Sequence, residues 1–242
     1  MLEIISKKSQ AYGEFNNGEI IENKPVGFPN DGGKLKAYSN LFYWAYAKAN
    51  FDSMIDLHPH KGFEIITYVV DGEIKHYDTL IKKWISLKKG DIQIIQAGSG
   101  ISHSEFLKKN SSIFQIWLDP NIYVSINNKP KYKDYKASTF KIYDNKKTII
   151  GEKSQLKVQS EGVEIFELII NNNEILQLDS LKYYSIYVIE GLIKINKIEL
   201  KCDDFIKIYN ENNILITMKE KSRLFVVVSP VQLSYNSYAS QL

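Results

Sequence analysis

Short runs rich in β-branched and aromatic residues, each closed off by turn formers, recur along the chain. Phe63 to Val70 (FEIITYVV) reads as a strand, Asp71-Gly72 supplies the pair favoured in a two-residue hairpin turn, and Glu73 to Thr79 returns. Trp84 to Leu87 is a further short strand, Lys89-Gly90-Asp91 turns into Ile92 to Gln96, and Ala97-Gly98-Ser99-Gly100 bends the chain ahead of His103. Upstream, turn signals at Asn16-Asn17-Gly18, Pro25, Pro29 and Asp31-Gly32-Gly33 precede an aromatic block, Phe42-Tyr43-Trp44-Ala45-Tyr46, expected to serve mainly as sheet core. Asp119 to Lys136 has little periodicity and reads as a linker, with Lys129, Lys131, Lys133 and Lys136 forming a solvated surface. Strands resume at Thr139 to Tyr143, Lys147 to Ile150 and Val163 to Ile170. Short strands spaced by turns predict an all-β fold of barrel or jelly-roll type.

The second half repeats the first. Tyr68-Val-Val-Asp-Gly-Glu-Ile-Lys75 aligns without gaps on Tyr187-Val-Ile-Glu-Gly-Leu-Ile-Lys194, keeping the turn glycine and its acidic neighbour. Two copies of one fold follow, with a boundary expected between residues 1–125 and 126–242. Both faces of FEIITYVV are apolar, whereas a strand with one wet face alternates. The expectation is therefore two domains packed together, the second covering the outer face of this strand.

The chemistry is concentrated in the first copy. All four histidines (His58, His60, His76 and His103) lie there, and two of the motifs read His58-Pro59-His60 and His103-Ser104-Glu105. Alternate residues of a strand share a face, so each motif presents two donors on one side. A lone histidine is usually a satisfied core or surface residue; two such pairs make a four-ligand cage for a divalent first-row metal, with positions left for solvent or substrate. Glu64 shares the parity of His60 and competes with Glu105 as the carboxylate donor.

The order HxH, Glu, turn glycine, then a Gly-Asp motif closing on His resembles the two motifs of the cupin superfamily. Within it, HPHKGFEIITYVVDGEIKHYD and GDIQIIQAGSGISHSE are similar to the pirin family. Lys61 stands where that family commonly has arginine, and Ile94-Ile95 replaces its usual Trp-Met pair. The resemblance implies a bicupin: an N-terminal metal-binding domain and a C-terminal one without the site. Gln177, Asp179 and Tyr183 then align with His58, His60 and Glu64, and no histidine follows His103. It implies one divalent metal, iron(II) above nickel, copper, manganese, cobalt or zinc, held by His58, His60, His103 and Glu105. Glu64 is kept to orient a ligand imidazole or exchange a proton, and His76 is expected near the pocket rim.

The activity implied is opening of flavonols such as quercetin with dioxygen, the metal binding the deprotonated hydroxyl while Glu105 or Glu64 takes the proton. The alternative is a metal- or redox-dependent regulatory or transcription-cofactor protein that acts through a protein partner. Composition narrows the rest. Of 31 basic residues only Arg223 is arginine, and a net charge of +3 is spread among interleaved signs, which argues against direct nucleic-acid binding. No window approaches the roughly eighteen apolar residues of a membrane span, and the single cysteine, Cys202, fits a reducing compartment, so a soluble, cytoplasmic protein is expected.

Overall fold

A computed structural model describes residues 1–241. The chain opens with β1 (Leu2–Ile5), followed by β2 (Ala11–Phe15), β3 (Ile20–Val26), β4 (Leu41–Ala49), β5 (Ser53–His60) and β6 (Glu64–Asp71). Next come β7 (Glu73–Asp78), β8 (Ile85–Lys88), β9 (Ile92–Gln96), β10 (Ile101–Leu107) and β11 (Ser112–Leu118), then a one-turn helix α1 (Ile122–Ser125) and β12 (Lys131–Tyr135). The second half contributes β13 (Ile142–Tyr143), β14 (Lys146–Ile150), β15 (Glu164–Ile170), β16 (Glu174–Gln177) and β17 (Lys182–Glu190). It closes with β18 (Leu192–Ile195), β19 (Ile198–Lys201), β20 (Phe205–Ile208), β21 (Asn213–Met218) and β22 (Ser222–Pro230).

These strands form two compact units, each a seven-stranded sheet with a four-stranded one. In the first unit the orders are β12-β9-β6-β11-β4-β3-β2 and β5-β10-β7-β8; in the second, β1-β20-β17-β22-β15-β14-β13 and β16-β21-β18-β19. The division differs from the expected boundary after residue 125. The first unit is Gln10–Thr139 with the segment from Tyr235 onward, and the second is Met1–Ser9 with Phe140–Ser234. The reason is strand pairing at sheet edges: β12, within the expected linker, adds to β9, and the N-terminal β1 adds to β20.

The turn at Asp71-Gly72 is not a hairpin. β6 already has β11 and β9 on its two edges, so β7 passes to the other sheet, between β10 and β8. Gly72 sits at this corner with φ +76, where a Cβ would collide with Ser111 Oγ. That hydroxyl donates to Glu73 O at 2.8 Å and accepts from Glu73 N at 2.9 Å. The repeat reproduces the corner: Gly191 has φ +92 and a Cβ there would strike Ser222 Oγ.

Between the sheets of the first unit, one end is filled by Ile20, Ala47, Ala49, Val69 and Ile113 from the larger sheet against Ile74, Leu87 and Leu107 from the smaller. In β6, Ile66 and Tyr68 on the other face are buried as well, in keeping with its two apolar faces. Gly72→Ala is expected to cost about 2 kcal/mol or more, combining left-handed strain with the Ser111 collision. The urea midpoint reads this out, and an unchanged midpoint would contradict the corner geometry.

Candidate metal centre

β5 carries His58 and His60 on one face, and its hydrogen-bonded neighbour β10 sets His103 in register opposite His58. The three imidazoles converge, with ring centroids 4.7, 4.4 and 4.8 Å apart for the pairs 58–60, 58–103 and 60–103. Their donor nitrogens lie within 4.8 Å of one another. His60 Nε2 and His103 Nε2 are 2.9 Å apart, close to the ~3 Å that separates neighbouring nitrogens on one ion with bonds of about 2.1 Å. His58 Nδ1 donates to the Asp56 carbonyl at 2.7 Å, which leaves Nε2 as the lone pair facing its neighbours.

Burial, reinforced by His58, pushes the His60 imidazole down to about 4. Burial, with His58, His60 and His76 adding to it, takes His103 down to about 2. Both rings are therefore neutral donors near pH 7. Among the described residues His103 Nδ1 is buried without a hydrogen-bond partner, so the cluster is not a closed set of internal bonds. Converging neutral nitrogens of this kind fit a divalent ion.

Glu105 lies two residues beyond His103 on the same strand, past an irregularity in the β5 pairing, and is fully buried. Its Oε1 accepts from Thr67 Oγ1 at 3.0 Å and Gln93 Nε2 at 3.2 Å, and its Oε2 from Gln115 Nε2 at 2.6 Å. Trp117 Nε1 donates to Gln115 Oε1 at 3.3 Å, fixing which end of that amide faces the carboxylate. Burial raises the Glu105 pKa, opposed by His76, the Thr67 hydrogen bond, His58 and the Gln115 hydrogen bond. Glu105 is outside the three-histidine group; it clusters with His103 and His76, the three offering atoms within 4.8 Å of one another.

Two expectations are corrected. His76 is not at a rim but fully buried, in register with Glu105, 2.9 Å from Asp78 Oδ2 and stacked on Tyr132 at 4.6 Å. Glu64 joins neither cluster, because residues 61–63 carry the chain out of β5 into the other sheet and parity with His60 does not survive the crossing. It lies buried, accepting from Gln96 Nε2 at 2.8 Å.

A cavity of about 430 Å³ opens beside the cluster, with His58, Glu105 and Gln115 on one side and Tyr43, Trp117 and Leu57 among its other walls. Tyr43 stacks on Trp117 at 4.5 Å, and Trp117 meets the His60 ring at 5.1 Å. Most of the aromatic block is core, as expected; Tyr43 also lines the cavity.

The second unit shows what the scaffold needs without this chemistry. Thr67 pairs with Gln115 and Gln93, and Glu105 with His76; in the repeat Ile186 pairs with Val226 and Ile206, and Ile216 with Ile195. All five counterparts belong to one buried apolar cluster. Burying polar groups costs free energy unless every one is bonded, and the same architecture closes with isoleucine and valine, so the polar interior of the first unit is not a requirement of the fold. Gln177 and Asp179, aligned with His58 and His60, are exposed.

Residues 34–118 match the family model described as Pirin. A quercetin 2,3-dioxygenase of Escherichia coli (strain K12) is 27% identical over 181 residues, 72% of this chain and 75% of the relative. A pirin-like protein of Caulobacter vibrioides is 30% identical over 177 residues, 70% of this chain and 75% of the relative. Among solved structures, bacterial pirin YhhW from Escherichia coli in complex with nickel(II) superposes with a TM-score of 0.82 at 22% identity, covering 95% of this chain and 99% of that one. A quercetin 2,3-dioxygenase from Acinetobacter baumannii gives 0.79 at 18% identity, covering 95% and 79%. These likenesses establish the bicupin fold, and the extent of identity to the Caulobacter protein shows that this chain belongs to the pirin family.

Proposed function

We propose that this protein is a dioxygenase that opens flavonols such as quercetin with dioxygen, using one divalent metal, iron(II), held by His58, His60, His103 and Glu105. The observation that carries the reading is that His58 and Glu105 line a cavity whose other walls include the Tyr43 and Trp117 rings. Its volume of about 430 Å³ falls in the range of small-molecule sites, roughly 300–1,000 Å³. Relatives named for this activity in two bacteria support the substrate class.

When bound, the ion would supply Lewis acidity toward the flavonol hydroxyl and redox access to dioxygen. The chain's own groups do the rest. Tyr43 and Trp117, stacked on each other, give the cavity an aromatic wall for the flavonol rings, with Met54 and Leu57 adding apolar surface. Thr67, Gln93 and Gln115 fix Glu105 and thereby limit its movement. Glu64 lies apart from the cavity lining and accepts from Gln96.

His103→Ala is expected to abolish stoichiometric metal binding, measured by elemental analysis after reconstitution; full retention would refute the ligand set. Glu105→Gln should weaken metal affinity by more than the roughly 10–100-fold that losing a residue behind a ligand costs and slow metal-dependent loss of flavonol absorbance, while unchanged turnover would remove Glu105 from the mechanism. Bound metal without flavonol loss in the unmodified protein would favour the regulatory alternative.

Acid should destabilise the metal-free form. Unfolded histidines titrate near ~6.5, whereas His60 in the folded chain titrates at about 4 and His103 at about 2. Below about pH 6.5 the unfolded chain therefore binds more protons, and stability falls with pH by on the order of 1 kcal/mol per unit for each histidine. Urea midpoints at pH 7 and pH 5 measure this, and His60→Gln should shrink the difference; an equal difference in that variant would contradict the assignment.

A further inference from the structure

Glu22 occupies an interior position on β3, two residues from the core residue Ile20, and is buried. It lines the same cavity as His58 and Glu105. Among the described residues its carboxylate receives only long contacts: Tyr43 Oη at 3.4 and 3.5 Å and Lys24 Nζ at 3.8 Å. Hydroxyl-to-oxygen bonds are ordinarily about 2.5–3.0 Å. Lys24 is drawn closer to Asp31, at 3.3 Å. The strand beside it makes room: Gly13 is paired with Glu22, and a Cβ there would meet Lys24 Cε at 2.9 Å and Glu22 Oε2 at 3.0 Å.

A buried carboxylate so weakly bonded is costly to keep, and nothing in the sheet requires it. Glu105 differs, since its two oxygens already accept from Thr67, Gln93 and Gln115. We propose that Glu22 is a catalytic residue, the proton acceptor for the enolic or phenolic hydroxyl of the substrate, with Tyr43 as the hydrogen-bond donor beside it. The proposal rests on the flavonol-oxygenase reading and assigns the proton step of that reaction to Glu22 instead of Glu105 or Glu64.

In the step, the substrate O–H bond breaks and its electron pair stays on the substrate oxygen. A new O–H bond forms on a Glu22 oxygen, and the proton returns to product when the ring has opened. Burial raises the Glu22 pKa, opposed by Lys24 and the Tyr43 hydrogen bond, with Asp31 and Glu105 raising it further. Tyr43 is raised well above its ordinary value by its own burial and by Glu22 and Asp31, so it stays a neutral donor. Among the described residues, Asp56 and His58 are the other titratable groups in the cavity wall.

The test uses the metal-loaded full chain with quercetin as the probe, following aerobic turnover across pH. With unmodified protein, kcat/KM should fall on the acid side as Glu22 is protonated. In Glu22→Gln that acid-side fall should be lost and kcat should drop about 10²-fold, with metal content and melting temperature undiminished. Glu22→Asp, which keeps the carboxylate, should restore part of the turnover and the acid-side fall even if the glutamine variant folds poorly. An unchanged kcat and pH profile in Glu22→Gln, or a loss of turnover in Glu22→Gln that Glu22→Asp does not relieve, would overturn the assignment to Glu22. Failure of unmodified protein to bind quercetin would remove the flavonol reading and this proposal together.

Discussion

The carboxylate of Glu105 is the interaction on which the first unit's interior turns. An ionised group with no exposure is expensive unless its lone pairs are bonded. Here a hydroxyl and two amides from β6, β9 and β11 reach across from the larger sheet to β10 of the smaller one. The bonds join the two sheets where the apolar filling ends. They also commit Thr67, Gln93 and Gln115 to fixed orientations, and through Gln93, 3.2 Å from His76 Nδ1, they extend to the His76–Asp78 pair. Such a network is favourable only when complete, and the repeat forgoes it with Ile186, Ile195, Ile206, Ile216 and Val226.

From that anchor the strands grade in character with a period of two. Along β10 the inward residues run Leu107, Glu105, His103; along β11 they run Ile113, Gln115, Trp117. The apolar filling, the bonded polar layer and the aromatic- and histidine-lined opening are successive layers of the same alternation. The imidazoles stay neutral because burial disfavours their charge, and a neutral imidazole is the form that binds a metal.

Much of this was legible in the sequence, and what was not has physical reasons. Strand runs such as FEIITYVV and the paired HxH and HSE motifs were readable because alternation and β-branching are local signals. The corner at Gly72 was misread as a hairpin because a turn dipeptide does not say which sheet the next strand joins. Asp119 to Lys136 hid β12, whose alternating lysines and tyrosines suit an edge strand, and Glu64 lost its parity with His60 at a turn between sheets. Thr67, Gln93 and Gln115 were missed because a polar residue in a strand ordinarily marks the wet face. The available signal was their parity with apolar neighbours: Gln93 stands two residues from Ile95, and Gln115 two from Ile113, both fully buried.

The function proposed for this polar interior is to hold one metal through three imidazoles and a carboxylate. X-ray absorption spectroscopy of the iron-reconstituted protein tests it most directly. The account predicts one iron per chain, with imidazole multiple-scattering from three histidines and an oxygen contribution that changes in Glu105→Gln. A spectrum without histidine scattering, or one untouched by that substitution and by His103→Ala, would contradict it.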